Sequence, residues 1–167
     1  MKCSVALIAL LALAAGAVAS PLRELGDFDL TDQNARTRAY RFPKAKITAM
    51  TVADHQGSGQ LAPWIQKFYD RYENRIDIDG VADVSMIPKP LRGMICEVFR
   101  KRLAYSVMLD WGGAVVKRLG YEKGVANIYV IDRRGVILRQ VTGPLNDDSE
   151  QELFQAIDHA ILGAPRR

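Results

Sequence analysis

The chain has 167 residues, of which 49% are apolar and 25% are charged, with 13 glycines and 7 prolines. This ordinary globular composition excludes collagen-like, coiled-coil and largely disordered chains. The 23 Lys and Arg residues exceed the 19 Asp and Glu residues by a net charge of only +4. Such a mild and mixed charge argues against nucleic acid and against a polybasic contact with membranes.

The first 19 residues are typical of a secretory signal peptide. Lys2 precedes an uncharged stretch, Cys3–Ala19, that is rich in Ala and Leu and ends with an Ala-x-Ala cleavage site. A retained membrane helix is the alternative, because about 17 residues is the short limit for spanning a bilayer. We therefore predict export to the periplasm or the cell exterior, and a single domain over residues 20–167 without a membrane anchor.

The other elements are predicted from the spacing of apolar residues and from turn signals. In chain order they are two short strands between Phe28 and Phe42, a strand over 46–52, a helix over 60–74, a strand over 76–84, a helix over 91–103, a strand over 105–109, a short helix over 114–119, a hairpin of strands over 125–131 and 136–141, and a helix that begins at Asp147 or Asp148. Strands and helices that alternate before a closing hairpin indicate an α/β sandwich around a mixed sheet.

Several local motifs occur in the same order in one family. They are Phe28–Asp32, Leu61–Ile65 with its Pro63, Leu109-Asp110, Gly113–Val116, Leu119-Gly120 and Tyr129–Ile137. In these motifs the chain resembles the thioredoxin-like superfamily, and in particular the redoxin branch of alkyl hydroperoxide reductase-like and exported thiol-disulfide oxidoreductase-like proteins. The resemblance implies a central mixed sheet of about five strands flanked by helices, with an N-terminal β-hairpin.

The resemblance also implies where an active site would lie. Exported redoxins carry a dithiol in the loop before the Pro63 helix, and this pattern places the two cysteine positions at His55 and Ser58. The superfamily's cis-proline, which faces the dithiol, falls at Ala126. Dithiol exchange needs a thiolate that attacks a disulfide sulfur, so a His–Ser pair cannot form or resolve a mixed disulfide. The peroxidatic-cysteine loop of peroxiredoxins is also absent from the sequence.

The cysteine count restricts the chemistry further. Only Cys96 remains after signal cleavage, so the mature chain cannot form an intramolecular disulfide. Cys96 is interpreted as a half-buried inert thiol or as a lone reactive thiol, with Arg92 and Arg100 four residues away on either side. The two histidines and one cysteine lie too far apart to predict a metal site, and no cofactor is expected.

Two chemical interpretations of the loop compete with a plain solvated turn. Asp54, His55 and Ser58 form a conceivable hydrolytic arrangement. Alternatively, the backbone N–H groups of Gly57, Ser58 and Gly59 would bind an anion. Turn-forming residues of this kind also occur without any ligand.

We interpret the chain as a redox-inactive relative whose former active-site face binds an exported protein or a small ligand. The predicted binding residues are Asp54, His55, Gly57, Ser58, Gly59 and Trp111. The alternative is an antioxidant or thiol oxidoreductase that acts through Cys96 alone or with a partner's thiol. A structural module without a ligand is the third hypothesis.

The mature protein is expected to begin at Ser20, because the long apolar stretch ends at the small-residue cleavage site before it. N-terminal sequencing of the exported form measures this directly. Recovery of an intact N-terminus in the membrane fraction would contradict the predicted export.

Overall fold

The computed structural model describes residues 23–163, so the predicted signal peptide over residues 1–19 lies outside the described residues. Its elements are β1 (Phe28–Asp32), β2 (Thr37–Tyr40), β3 (Thr48–Ala53), α1 (Leu61–Tyr72), β4 (Asp77–Asp83), α2 (Arg92–Arg102), β5 (Met108–Asp110), α3 (Ala114–Leu119), β6 (Asn127–Ile131), β7 (Ile137–Thr142) and α4 (Asp147–Leu162). Short 3-10 turns, Gly57–Gln60 and Lys89–Leu91, lead into α1 and α2. Within residues 23–163, no helix is both long enough and apolar enough to cross a membrane.

The seven strands form one mixed sheet in the order β2-β1-β5-β4-β3-β6-β7. β3, β4 and β5 are parallel, whereas the other neighbouring pairs are antiparallel. The predicted α/β architecture and N-terminal hairpin are therefore confirmed. The sheet has seven strands instead of about five because β1 pairs with β5, Thr31 opposite Leu109, and so brings the hairpin into the sheet.

Strand β3 lies inside the sheet, between β4 and β6, and is buried over its whole length. Its side chains alternate between two apolar cores, as the period of a strand requires. Met50 and Val52 pack on one face with α3 and the N-terminal hairpin, whereas Ala49 packs on the other with α1 and α4. Because both faces are covered, polar chemistry near β3 is confined to the ends of the strand.

The predicted starts of β5 and α4 are both wrong, and in each case a side chain that hydrogen-bonds to the backbone sets the boundary. The Gln33 side chain donates to the Tyr105 carbonyl at 2.8 Å and accepts from the Val107 N–H at 2.9 Å, so β5 begins only at Met108. Helix α4 is capped by Asn146 and not by Asp147 or Asp148. The Asn146 Oδ1 accepts the Ser149 N–H at 2.9 Å, and the Ser149 hydroxyl accepts the Asn146 N–H.

Helix α2 forms where predicted, but its apolar stripe is not buried. None of its residues is fully buried, and Met94 and Val98 are exposed. Its arginines make the contacts instead, because the Arg92 guanidinium stacks over the Trp111 ring at 4.8 Å and Arg100 donates to the Gln33 carbonyl. The helix therefore contacts the domain through a half-buried apolar side, with Ile95 and Phe99, and through these two arginines.

Candidate functional site

The candidate site lies at the edge of the sheet where the three parallel strands end. An aspartate stands at the carboxyl end of each strand: Asp54 after β3, Asp83 on β4 and Asp110 on β5. Asp83 and Asp110 are direct partners across the β4–β5 pair. Loops at this edge are the usual place for ligands in parallel α/β sheets.

Asp54 joins the two loops at this edge. Its Oδ1 accepts the Gly57 N–H at 2.9 Å, within its own loop. Its Oδ2 accepts the Gly124 N–H at 2.9 Å, in the loop that leads to β6. A carboxylate that accepts N–H groups makes a strong charge-assisted hydrogen bond, so Asp54 fixes the position of both loops.

The two loops approach so closely that Gly57 has no room for a side chain. A Cβ atom on Gly57 would lie 2.3 Å from the Val125 carbonyl oxygen. The Gln60 side chain accepts the Ala126 N–H at 3.0 Å and closes the same junction. Gly57 and Ala126 are both buried. Gly57, which was predicted as a binding residue, is therefore enclosed by the second loop, and Ala126 lies beneath it.

No role was predicted for Tyr121, although its side chain contacts two of the aspartates. Its hydroxyl donates to Asp83 Oδ2 at 2.7 Å and lies 3.4 Å from Asp54 Oδ2. Burial, together with these carboxylates, raises the pKa of Tyr121 far above its usual value. Burial also raises the pKa of Asp83, but hydrogen bonds from Ser85 and Tyr121 outweigh it and hold this pKa below the usual value. At neutral pH the pair is therefore a neutral phenol that donates to a carboxylate.

His55 and Ser58 are exposed, as the solvated turn predicts. The Ser58 hydroxyl donates to the His55 carbonyl at 2.8 Å, and Asp54 is bonded to backbone groups. The hydrolytic arrangement is therefore wrong, because neither the serine nor the aspartate contacts the imidazole.

The anion interpretation of the glycine loop is also wrong. The N–H groups of Gly57 and Ser58 both donate to Asp54, to its carboxylate and to its carbonyl respectively. A bound anion would have to displace a carboxylate that already occupies the first of these donors.

Trp111 follows β5 at the same edge of the sheet. It is half-buried beneath the Arg92 guanidinium. β5 is two strands from β3 in the sheet. At the usual strand spacing, the backbone of Trp111 therefore lies about 10 Å from that of the Asp54 loop. The predicted binding residues that remain at the surface are thus His55, Ser58 and Gly59. Asp54 next to them is half-exposed, as is Trp111 further along the same edge.

Cys96 lies on α2 and is half-buried. The two predicted neighbours have other partners, since Arg92 stacks on Trp111 and Arg100 pairs with Glu97 at 2.6 Å. Within residues 23–163, no group of three or more His, Cys, Asp and Glu side chains is arranged to hold a metal ion. Asp110 illustrates why, because its carboxylate is occupied by the N–H groups of Val115 and Val116 at 2.8 and 3.0 Å.

No family model matches the chain, and no curated protein matches it. Solved structures do. A protein from Chlorobium tepidum proposed to be the thiol:disulfide interchange protein DsbE has a TM-score of 0.63 and 17% identity, over 84% of this chain and 96% of that one. The exposed lipoprotein thioredoxin Etrx1 of Streptococcus pneumoniae has a TM-score of 0.62 and 16% identity, over 78% and 98%. StoA of Bacillus subtilis has a TM-score of 0.58 and 15% identity, over 79% and 98%.

These identities are low, so the likeness concerns the fold, which is thioredoxin-like. The fold implied by the sequence motifs is thereby confirmed. The first of these structures is named for thiol-disulfide interchange and the second for thioredoxin. The loop of this chain between Asp54 and Gln60, in contrast, contains no cysteine.

Substitution Gly57→Ala is expected to lower the free energy of unfolding by about 1 to 3 kcal/mol, because the new Cβ would overlap the Val125 carbonyl. The matched control is Gly59→Ala, two residues along the same turn, where a Cβ meets nothing within 4 Å. Urea denaturation of both variants measures the difference. Equal stability of the two variants would mean that the loops do not meet at Gly57.

The double variant His55→Cys with Ser58→Cys, made with Cys96→Ser, is expected to oxidise readily within one turn. His55 and Ser58 are three residues apart in a turn that the Ser58 hydroxyl closes on the His55 carbonyl. Cα atoms at this separation in a helical turn lie about 5.5 Å apart, which suits a disulfide. Mass spectrometry should show the loss of two hydrogens in a single loop peptide.

The control is His55→Cys alone with Cys96 retained, which should stay reduced because Cys96 lies on α2. Two persistently free thiols in the double variant under mild oxidant would show that the dithiol positions are misplaced.

Proposed function

We propose that this chain is an exported thioredoxin-fold binding protein that does not catalyse dithiol exchange, and that it binds a protein or small ligand through the surface around His55 and Ser58. One observation carries the proposal. The loop at the carboxyl end of β3, where the resemblance implies the superfamily's dithiol, presents an exposed His–Ser pair instead of two thiols.

The loop is supported as a rigid surface. Asp54 binds Gly57 and Gly124, and Gln60 binds Ala126, so the backbone between Asp54 and Gln60 is tied to the segment before β6. A surface that is ordered before binding loses little conformational entropy when a partner docks. This favours a recognition role for the loop over a vestigial one.

The groups around the loop suit polar recognition with an aromatic component. His55 and Ser58 are exposed and offer hydrogen-bonding groups, and the half-buried Tyr121 and Trp111 lie along the same edge. A few polar groups beside aromatic rings are typical of sites for peptides and small ligands. The predicted signal peptide places such a partner in the exported compartment.

The second candidate function uses Cys96, because this thiol is half-exposed and not enclosed in either core. Its thiolate would attack a disulfide of a partner, forming a mixed disulfide and releasing one partner thiolate. Since the mature chain has no second cysteine, a thiol of the partner or of a small molecule would have to resolve this bond.

One experiment separates the two candidates. The immobilised chain is used to capture partners from the exported fraction, and the affinity of a captured partner is then measured by calorimetry for three variants. We expect His55→Glu to weaken binding at least about tenfold, whereas His159→Glu, the same change at the other exposed histidine, and Cys96→Ser leave it unchanged. The wild-type chain should also fail to catalyse the reduction of insulin by dithiothreitol.

Capture that reductant reverses, or that Cys96→Ser abolishes, would favour the single-thiol candidate. Equal affinity of the His55→Glu and His159→Glu variants would overturn the loop as the binding surface.

A further inference from the structure

A line of apolar side chains along α2, beginning with its N-cap residue Leu91, faces solvent. Leu91, Met94 and Val98 recur at three- and four-residue spacing, which places them on one side of the helix. They are 44%, 57% and 37% exposed, respectively. Contiguous exposed apolar side chains, unlike scattered single ones, are a feature of interaction surfaces. We call this line, with Lys101 and Arg102, the α2 outer face.

Cations are concentrated around this line. Residues 86–103 contain Lys89, Arg92, Arg100, Lys101 and Arg102 but a single acid, Glu97, so the segment alone has a net charge of +4. This equals the net charge of the whole chain, which means that the remaining residues balance. The charge is mixed on average over the chain, but on this helix it is strongly positive.

Two of these cations flank the apolar line. At 100° per residue, Lys101 and Arg102 lie on opposite sides of the apolar line, each within about 55° of it. Glu97 is already paired with Arg100 at 2.6 Å. Among residues 23–163, Lys101 and Arg102 make no ion pair, so their charges face outward beside the apolar side chains.

We propose that the α2 outer face docks on the surface of an anionic lipid bilayer, with the helix lying in the plane of the interface. A short helix that exposes Leu, Met and Val between Lys and Arg has the pattern of interfacial helices, whose apolar side enters the headgroup region while the cations contact anionic lipids. Long cationic side chains reach upward from such a depth and keep their charge in the headgroup layer.

Other occupants fit this face less well. A second copy of the chain would place its own α2 segment, with a net charge of +4, against the +4 of the first copy, and the two would repel each other. Nucleic acid would pair with the cations but would leave Met94 and Val98 without an apolar partner. A groove in an acidic protein is the closest competitor, but the line contains none of the aromatic anchors in which the centres of protein interfaces are enriched.

The proposal goes beyond the binding function of the loop and does not depend on it. The residues of the α2 outer face lie on a different element from His55 and Ser58. Loss of vesicle binding therefore says nothing about capture of a partner by the loop, and the two proposals fail separately.

Vesicle co-sedimentation tests the proposal on full-length protein, with every variant prepared in the same host so that the N-terminal segment is in the same state throughout. Vesicles of phosphatidylcholine alone are compared with equimolar phosphatidylcholine and phosphatidylglycerol. The charge variant is Lys101→Gln with Arg102→Gln, and its control is Lys117→Gln with Lys123→Gln, two exposed lysines on and after α3.

The apolar variant is Met94→Ser with Val98→Ser. Its control is Leu138→Ser with Leu162→Ser, which are 37% and 79% exposed and therefore at least as accessible as Val98 and Met94. Circular dichroism before sedimentation verifies that each variant keeps the helical content of the wild type.

We expect the wild-type chain to partition into anionic vesicles at least about tenfold more strongly than into neutral ones, and less strongly as salt is raised. The charge variant should lose about tenfold or more in anionic partitioning, and the apolar variant about threefold or more. Both control variants should match the wild type.

Equal partitioning of the α2 variants and their controls would overturn the proposal. The proposal would also be overturned if the chain bound poly-glutamate as strongly as vesicles and with the same salt sensitivity, and if Met94→Ser with Val98→Ser did not change this binding. That result would assign the face to a non-specific cationic patch. A dimeric mass in solution that the apolar variant abolishes, without vesicle binding, would assign the face to a second copy.

Discussion

The carboxylate of Asp54 is the contact on which the carboxyl edge of the sheet depends. It accepts one N–H from its own loop and one from the loop before β6, both at 2.9 Å, and so holds two segments together that are distant in sequence. The junction is tight because Gly57 contributes no side chain opposite the Val125 carbonyl. With the interior of the loop closed in this way, His55 and Ser58 are turned outward, and the proposed recognition surface follows from that closure.

The other two aspartates of this edge serve the architecture in a similar manner. Asp110 accepts two N–H groups of the first turn of α3, those of Val115 and Val116, and thereby fixes the direction in which this helix leaves the sheet. Asp83 accepts the Tyr121 hydroxyl and positions the loop that also contacts Asp54. Three carboxylates thus line the edge where an α/β sheet normally binds its ligand, yet backbone groups and a phenol occupy them. This arrangement favours recognition by the loop surface over acid–base or metal chemistry at the edge.

Most elements were predictable from local patterns, because helical and strand periodicity depends on residues close in sequence. The errors came from contacts between distant residues. The Gln33 side chain bonds to the Tyr105 carbonyl and the Val107 N–H, where a neighbouring strand would otherwise pair. No residue close to 105 in the sequence indicates this contact. Tyr121 was missed for the same reason, since its role depends on Asp83 and Asp54, which come from two other strands. An aspartate at the end of each parallel strand was the available signal for that cluster.

The sequence by itself determined the order of the elements, the resemblance of its motifs and the absence of a thiol from the loop after β3, since each of these is a property of residue identity and spacing. Only the tertiary structure decided which apolar stripes are buried. The stripe of α1, with Trp64 and Phe68, is covered by Leu153 and Phe154 of α4, whereas α2 contributes no fully buried residue. The two stripes have the same periodicity, but burial also requires a neighbouring element to exclude water. Residues 23–163 supply that second layer for α1 and not for the outer face of α2.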